Sequence, residues 1–137
     1  MWDTVLVDTS VWIDYFNGVD NLATEKLNAI IGEHGTICIC PPIIQEVLQG
    51  FRQDTEFHTA VRLLGTLEHL TAEPYEAAAG AAQIFRRLRK RGVTIRKSND
   101  ALIAWYALSA NCSILHRDRD FDIMMKALRL KVIQLRA

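Results

Sequence analysis

Asp8, Glu46, Asp100 and Asp118 are the residues of this chain whose types could do chemistry together, if the fold gathers them. Crowded carboxylates repel one another and cannot all stay ionised without a compensating charge. A hard divalent cation supplies that charge. Magnesium prefers oxygen ligands and keeps several of its waters. Such an ion can activate a water as nucleophile and stabilise charge on a phosphoryl oxygen. An all-oxygen, histidine-poor pocket therefore suits metal-assisted phosphodiester hydrolysis. Each acid taken singly has an ordinary alternative. Asp8 could be a turn or cap residue, and Asp100 could merely complement a helix dipole. Glu46 could face solvent, and Asp118 and Asp120 could belong to a solvated charged loop, His116-Arg117-Asp118-Arg119-Asp120. The combination carries the signal.

The elements that must position these acids can be read from apolar patterning. Residues 4–7 form a short β-branched run, read as a buried strand that ends at Asp8. Thr9 or Ser10 then caps a helix carrying Val11, Trp12, Tyr15 and Phe16. A second amphipathic helix covers residues 22–31. Residues 36–40 give a second strand, stopped by Pro41-Pro42 at the start of a helix that reaches Leu48 and contains Glu46. Phe57, Ala60, Val61 and Leu64 make a helical stripe, and Pro74 opens a long helix to about Arg91. Ser98 is expected to cap a helix over residues 99–110, apolar on nearly every face and so placed at the centre of the domain. A third strand covers residues 113–115, a helix residues 121–128, and a closing strand residues 131–135. Short, continuously apolar strands alternating with helices imply an α/β fold with a parallel sheet covered on both faces. Sites in such sheets form at the carboxyl ends of the strands. Asp8 follows the first strand, Asp118 and Asp120 the third. Glu46 lies about one turn into the helix that follows the second strand, and Asp100 lies in the first turn of the central helix.

Composition sets the outer bounds. The chain has 137 residues, is 50% hydrophobic and 23% charged, and carries no net formal charge. These values suit one soluble α/β domain spanning residues 1–137 and argue against disorder. A neutral total names no partner, since a nuclease needs only a local basic rim. The N-terminus shows no leader pattern and no apolar run is long enough to span a membrane, so a cytoplasmic location is expected. Cys38 and Cys40 share one face of a strand, and with Cys112 they read as buried reduced thiols rather than as a zinc site.

Four segments in order carry a specific resemblance: Val5-Leu6-Val7-Asp8-Thr9-Ser10-Val11-Trp12, Ile44-Gln45-Glu46-Val47-Leu48-Gln49-Gly50, Asn99-Asp100-Ala101-Leu102-Ile103-Ala104, and Asp118-Arg119-Asp120-Phe121. Each is short and weak alone. Their order, spacing and the total length together resemble the PIN-domain family, and within it the VapC-type toxin ribonucleases of type II toxin–antitoxin systems. The resemblance covers essentially the whole chain. It implies a PIN-like three-layer fold and a metal-dependent endoribonuclease using Mg2+ or Mn2+. It implies that Asp8, Glu46, Asp100 and Asp118 are the catalytic, metal-binding acids, that Asp120 is a candidate fifth acid ranked below Asp118, and that Ser10 hydrogen-bonds within the cluster.

One departure stands out. Many relatives carry a Thr or Ser two residues before the fourth acid, where this chain has His116. A lone histidine beside a strand end is read as structural first, with substrate contact as the alternative. Arg86, Arg87, Arg89, Lys90 and Arg91 cluster at one helix end, where cations commonly serve only the dipole. Arg96 and Lys97, just before the Asp100 helix, are the better candidates for contact with RNA phosphates. The resemblance further implies a homodimer and an inhibitory antitoxin, for which Trp12, Tyr15 and Phe16 could supply a surface, although each singly reads as core. Two other functions remain to be weighed. A haloacid-dehalogenase-like phosphatase wants an Asp two residues after the first, where Ser10 stands here. An inactive PIN-like binding module would normally have lost an acid, and none is missing.

Overall fold

The computed structural model describes residues 4–135. Residues 1–3, where the sequence shows no leader pattern, and residues 136–137 lie outside the described residues. The chain runs β1 (Val5–Val7), α1 (Thr9–Phe16), α2 (Leu22–Gly32), β2 (Ile37–Ile39), α3 (Pro41–Leu48), α4 (Asp54–Gly65), β3 (Glu68–His69), α5 (Pro74–Lys90), α6 (Ser98–Ala110), β4 (Ser113–Leu115) and α7 (Arg119–Leu128). The strands form one sheet in the order β3-β2-β1-β4, with every pair parallel. Every residue of β1, β2 and β4 is buried. Successive strand side chains point to opposite faces, so helices must cover both faces of the sheet, as expected.

The strand order decides where a site can form. From β1 the chain builds outward through β2 to β3, then returns to place β4 on the other side of β1. The crevice at such a reversal opens beyond the carboxyl ends of the two strands that flank it. Here these are β1 and β4, in register from Val5 opposite Ser113 to Val7 opposite Leu115. The backbone N–H of Asp8 continues the ladder onto the Leu115 carbonyl at 2.9 Å.

Several local expectations need correction. Asp8 itself caps α1, its carboxylate accepting from the Ser10 N–H, so Thr9 and Ser10 lie inside the helix. Lys97 occupies the cap position of α6 and makes no side-chain cap bond, while Ser98 is the first helical residue. The expected closing strand over residues 131–135 reduces to a single bridge between Ile114 and Val132. β3 was not foreseen: its two exposed residues, Glu68 and His69, carry no apolar signal, and pairing with β2 alone makes them a strand.

α6 has almost no polar face, yet it is not sealed on every side. Asp100, Ala101, Ile103, Ala104, Tyr106 and Ala107 are buried, whereas Leu108 is exposed. It packs chiefly on α5. The two helices approach closely at Gly80, where a Cβ atom would collide with the indole of Trp105. A left-handed Asn111 (φ 54°) then turns the chain from α6 into β4, a conformation that asparagine tolerates.

Gly80→Ala should therefore destabilise the protein by about 1–2 kcal/mol, overpacking at Trp105 outweighing the gain of roughly 1 kcal/mol in helix propensity. In a Trp105→Ala background the same change should become neutral or stabilising. Urea denaturation of the four proteins of this cycle measures the sign reversal.

Candidate metal centre

Each acid is placed by a short piece of backbone. Asp8 leaves β1 and starts α1. It is 5% exposed. Its Oδ2 accepts from Ser10 Oγ at 2.9 Å and from Ser10 N at 3.4 Å. Burial raises its pKa, against the Ser10 hydrogen bonds and the nearby His116, which favour the ionised form. Asp118 follows β4 and caps α7, its Oδ1 accepting from Asp120 N at 2.9 Å. Asp120 sits in the first turn of α7 and is buried. Asp100 sits in the first turn of α6, 5% exposed.

Carboxylate oxygens of Asp100, Asp118 and Asp120 all lie within 4.8 Å of one another. The Oδ2 of Asp100 is buried and has no hydrogen-bond partner. Among the described residues the only other such side-chain atom is Trp12 Nε1. Leaving a buried acceptor unsatisfied costs about 1–3 kcal/mol, more if it is charged. Burial, then Asp8, Asp118 and Asp120, push the Asp100 carboxyl up to about 7, with Lys97 pulling the other way. The oxygen-only donor set, the convergence of three carboxylates and the orphaned Oδ2 all fit a divalent cation.

Asp8 acts on this trio through charge, raising the Asp100 pKa, and both Asp8 and Glu46 help burial to raise that of the Cys40 thiol. The half-buried Glu46 is held by Thr9, whose hydroxyl donates to Oε1 at 2.8 Å. The sequence reading missed Thr9; the hydroxyl directly after Asp8 was the available signal. Asp120, ranked below Asp118, lies with it in the converging trio. The structure thus brings Asp100, Asp118 and Asp120 into one donor group, with Asp8 close enough to perturb Asp100 and Glu46 tied back to α1.

The flanking cations and the histidine have definite partners. Arg96 Nε lies 3.5 Å from Asp120 Oδ2, and its Nη2 lies 3.8 Å from Asp118 Oδ1. Lys97 is exposed and acts on Asp100 only through charge. His116 is buried, its Nδ1 accepting from Asp118 N at 2.9 Å and its Nε2 facing Asp122 Oδ1 at 3.3 Å. The Nδ1 acceptor role leaves the proton on Nε2. Burial lowers the His116 pKa against the pull of Asp122, Asp8 and Asp118. The ring also packs on Phe121, with centroids 5.2 Å apart. His116 is therefore a structural residue that shapes the loop carrying Asp118. Arg117 reaches away to Asp14 at 3.1 Å.

Parallel-sheet topology and an acidic cluster near the carboxyl ends of β1 and β4 define an α/β protein whose donor set would suit a divalent cation. The sequence matches the PIN domain family over residues 5–126, and the chain belongs to that family. It is 34% identical over 133 residues to the VapC ribonuclease Mb1587 of Mycobacterium bovis, covering 96% of this chain and 99% of the relative. Ribonuclease VapC11 of Mycobacterium tuberculosis matches with the same figures. Similar folds include VapBC2 from Rickettsia felis bound to a promoter DNA fragment, at TM-score 0.72 and 15% identity, covering 95% of this chain and 97% of that one. VapBC-1 from nontypeable Haemophilus influenzae follows at TM-score 0.71 and 18% identity, covering 96% and 98%. Membership of the PIN domain family removes the dehalogenase-like phosphatase alternative.

The raised Asp100 pKa has a consequence for stability. Its ordinary value is 3.8 and its folded value about 7, so the folded state binds the proton more tightly. The associated stability is fully present below pH 3.8 and is lost as pH rises through about 7. Metal-free protein should lose on the order of 2 kcal/mol across this window, about half of the full linkage value after screening. Asp100→Asn should flatten that loss, raise the metal-free Tm at pH 8 and abolish the Tm increase that Mg2+ gives the unsubstituted protein. Thermal melts at pH 4, 6 and 8 with and without Mg2+ test all three.

Proposed function

We propose that this chain is a metal-dependent endoribonuclease, the toxin of a toxin–antitoxin pair, hydrolysing RNA phosphodiester bonds with Mg2+ or Mn2+. The observation that carries this reading is the convergence of Asp100, Asp118 and Asp120 around the partnerless Asp100 Oδ2. The chain around them matches named ribonucleases over nearly its whole length. All four acids expected from the sequence are present, which disfavours an inactive binding module.

Asp8, Asp100, Asp118 and Asp120 would hold the ion, with Glu46 at its edge. When bound, the ion would lower the pKa of a water and neutralise charge on the scissile phosphate. The protein groups prepare that chemistry. The Ser10 hydroxyl and N–H both fix Asp8 Oδ2, leaving Oδ1 for the pocket. Thr9 fixes Glu46 Oε1, so that Oε2 would be the oxygen left to accept a hydrogen bond from a water. Asp118 is held as a helix cap by the Asp120 N–H on its Oδ1, which limits the reorganisation it would need. Arg96 and Lys97 form the basic side of the crevice, placed to meet the RNA backbone.

The proposed protein partner is an antitoxin, supported by solved neighbours that are toxin–antitoxin complexes. Trp12 is buried and is withdrawn from any such contact. Phe16 remains available: with Ile13, Val47 and Phe51 it lines a cavity of about 330 Å³ rimmed by Arg52 and Glu56. This groove offers the apolar floor and charged rim that an amphipathic helix from the antitoxin would need. A homodimer in a cytoplasmic setting completes the reading. Among the described residues no helix is long and apolar enough to cross a membrane.

Purified protein free of antitoxin should cleave RNA with Mg2+ or Mn2+ and lose cleavage with a chelator. Asp8→Asn and Asp100→Asn should each reduce cleavage at least about 100-fold, with folding checked by circular dichroism. Wild type that never cleaves any RNA with either metal would overturn the proposal. Asn variants as active as wild type would relocate the site.

A further inference from the structure

Arg96 occupies a position that its sequence neighbours do not. Its guanidinium reaches two of the three converging carboxylates, Asp118 Oδ1 and Asp120 Oδ2, and its side chain is 71% exposed. The contacts are long, at 3.8 and 3.5 Å, and open to solvent. Exposed pairs of this kind contribute little and exchange freely. Ile95 just before it is buried, and α6 starts at Ser98. The backbone is thus anchored on both sides while the long side chain is free to swing. Asp118 and Asp120 are both largely buried, and the third member, Asp100, receives no hydrogen bond at Oδ2. The guanidinium covers the rim of the cluster and leaves its floor uncompensated.

A divalent cation among Asp100, Asp118 and Asp120 would compete for the oxygens that Arg96 touches, and its two charges would repel the guanidinium. Held by several carboxylates, the ion outcompetes two solvent-exposed contacts. We propose that Arg96 is a metal-exchangeable arm: it neutralises Asp118 and Asp120 when no ion is bound, and metal binding releases it to grip an RNA backbone phosphate at the mouth of the crevice. The arm would thereby couple metal occupancy to RNA binding. This inference rests on the metal-dependent ribonuclease reading and goes beyond it by assigning Arg96 two alternating partners. Arg96 is in this sense a positioning residue for substrate, not a metal ligand.

The test uses the full chain and Mn2+ alone, by titration calorimetry and by electron paramagnetic resonance of free Mn2+. Arg96→Ala removes an internal competitor and should bind Mn2+ roughly three- to tenfold more tightly than wild type. Arg119→Ala removes the same charge from an exposed residue of α7 and should bind Mn2+ within about twofold of wild type, separating pair exchange from general charge. A cleavage-resistant phosphorothioate oligoribonucleotide then reads the second partner. With Mn2+ present, Arg96→Ala should bind it several-fold more weakly than wild type, with a log–log salt slope smaller by about 0.7. Without Mn2+ the two proteins should bind it equally. Mn2+ affinity of Arg96→Ala equal to or weaker than that of Arg119→Ala overturns the exchange, as does an oligonucleotide loss that is the same with and without Mn2+. Either result leaves the ribonuclease reading standing if wild type still takes up Mn2+ and cleaves RNA. Wild type that takes up no Mn2+ would end both.

Discussion

Like-charge repulsion at the mouth of the β1–β4 crevice is the constraint around which this molecule is arranged. Carboxylate oxygens of Asp100, Asp118 and Asp120 converge to within 4.8 Å of one another, and Asp8 is close enough to raise the Asp100 pKa further. A fold that brings these groups together loses stability unless something offsets the repulsion. Protonation of Asp100, the Arg96 guanidinium at the rim and a divalent cation are three ways of offsetting it. The Arg96 contacts leave the partnerless Asp100 Oδ2 untouched. The site is thus a local defect in the folded protein, as expected where function opposes stability.

The scaffold tolerates the defect because two of the acids are held by bonds that also serve the fold. Asp8 caps α1 and Asp118 caps α7, so their carboxylates satisfy helix N–H groups that would otherwise need water. Beneath them lies a sheet whose strands β1, β2 and β4 are wholly buried, with Trp12 of α1 and Phe121 of α7 among the largest fully buried side chains packed around it. Burying a side chain such as Phe121 contributes roughly 1.5–3 kcal/mol. That anchors α7 and the loop before it, on which Asp118 and Asp120 are carried.

His116 shows how one buried side chain can set a loop. Its Nδ1 takes the Asp118 N–H while Nε2 reaches Asp122. The loop keeps its shape through that side chain. The thiols are buried too: Cys38 and Cys112 approach to 3.6 Å inside the core as free cysteines, and burial raises both pKa values. They behave as small apolar residues.

Much of this was legible in the residues. Val5-Leu6-Val7, Ile37-Cys38-Ile39 and Ser113-Ile114-Leu115 show their strands because continuous apolar runs of that length suit a sheet buried on both faces. The order of the acids after strands and in first helical turns is equally a property of the chain. What stayed hidden depended on partners distant in sequence. β3 exists only because β2 offers it an edge, and residues 131–135 meet the three-residue β4 at the single bridge Ile114–Val132. Whether Asp118 or Asp120 faces Asp100, whether Arg96 is free or paired, and that Thr9 holds Glu46 are all decided across tens of residues of separation. Residue types determined that oxygen-ligand metal chemistry was available to this chain. The tertiary structure alone decided which oxygens meet, because electrostatic coupling depends on distances that only the packed strand order β3-β2-β1-β4 sets.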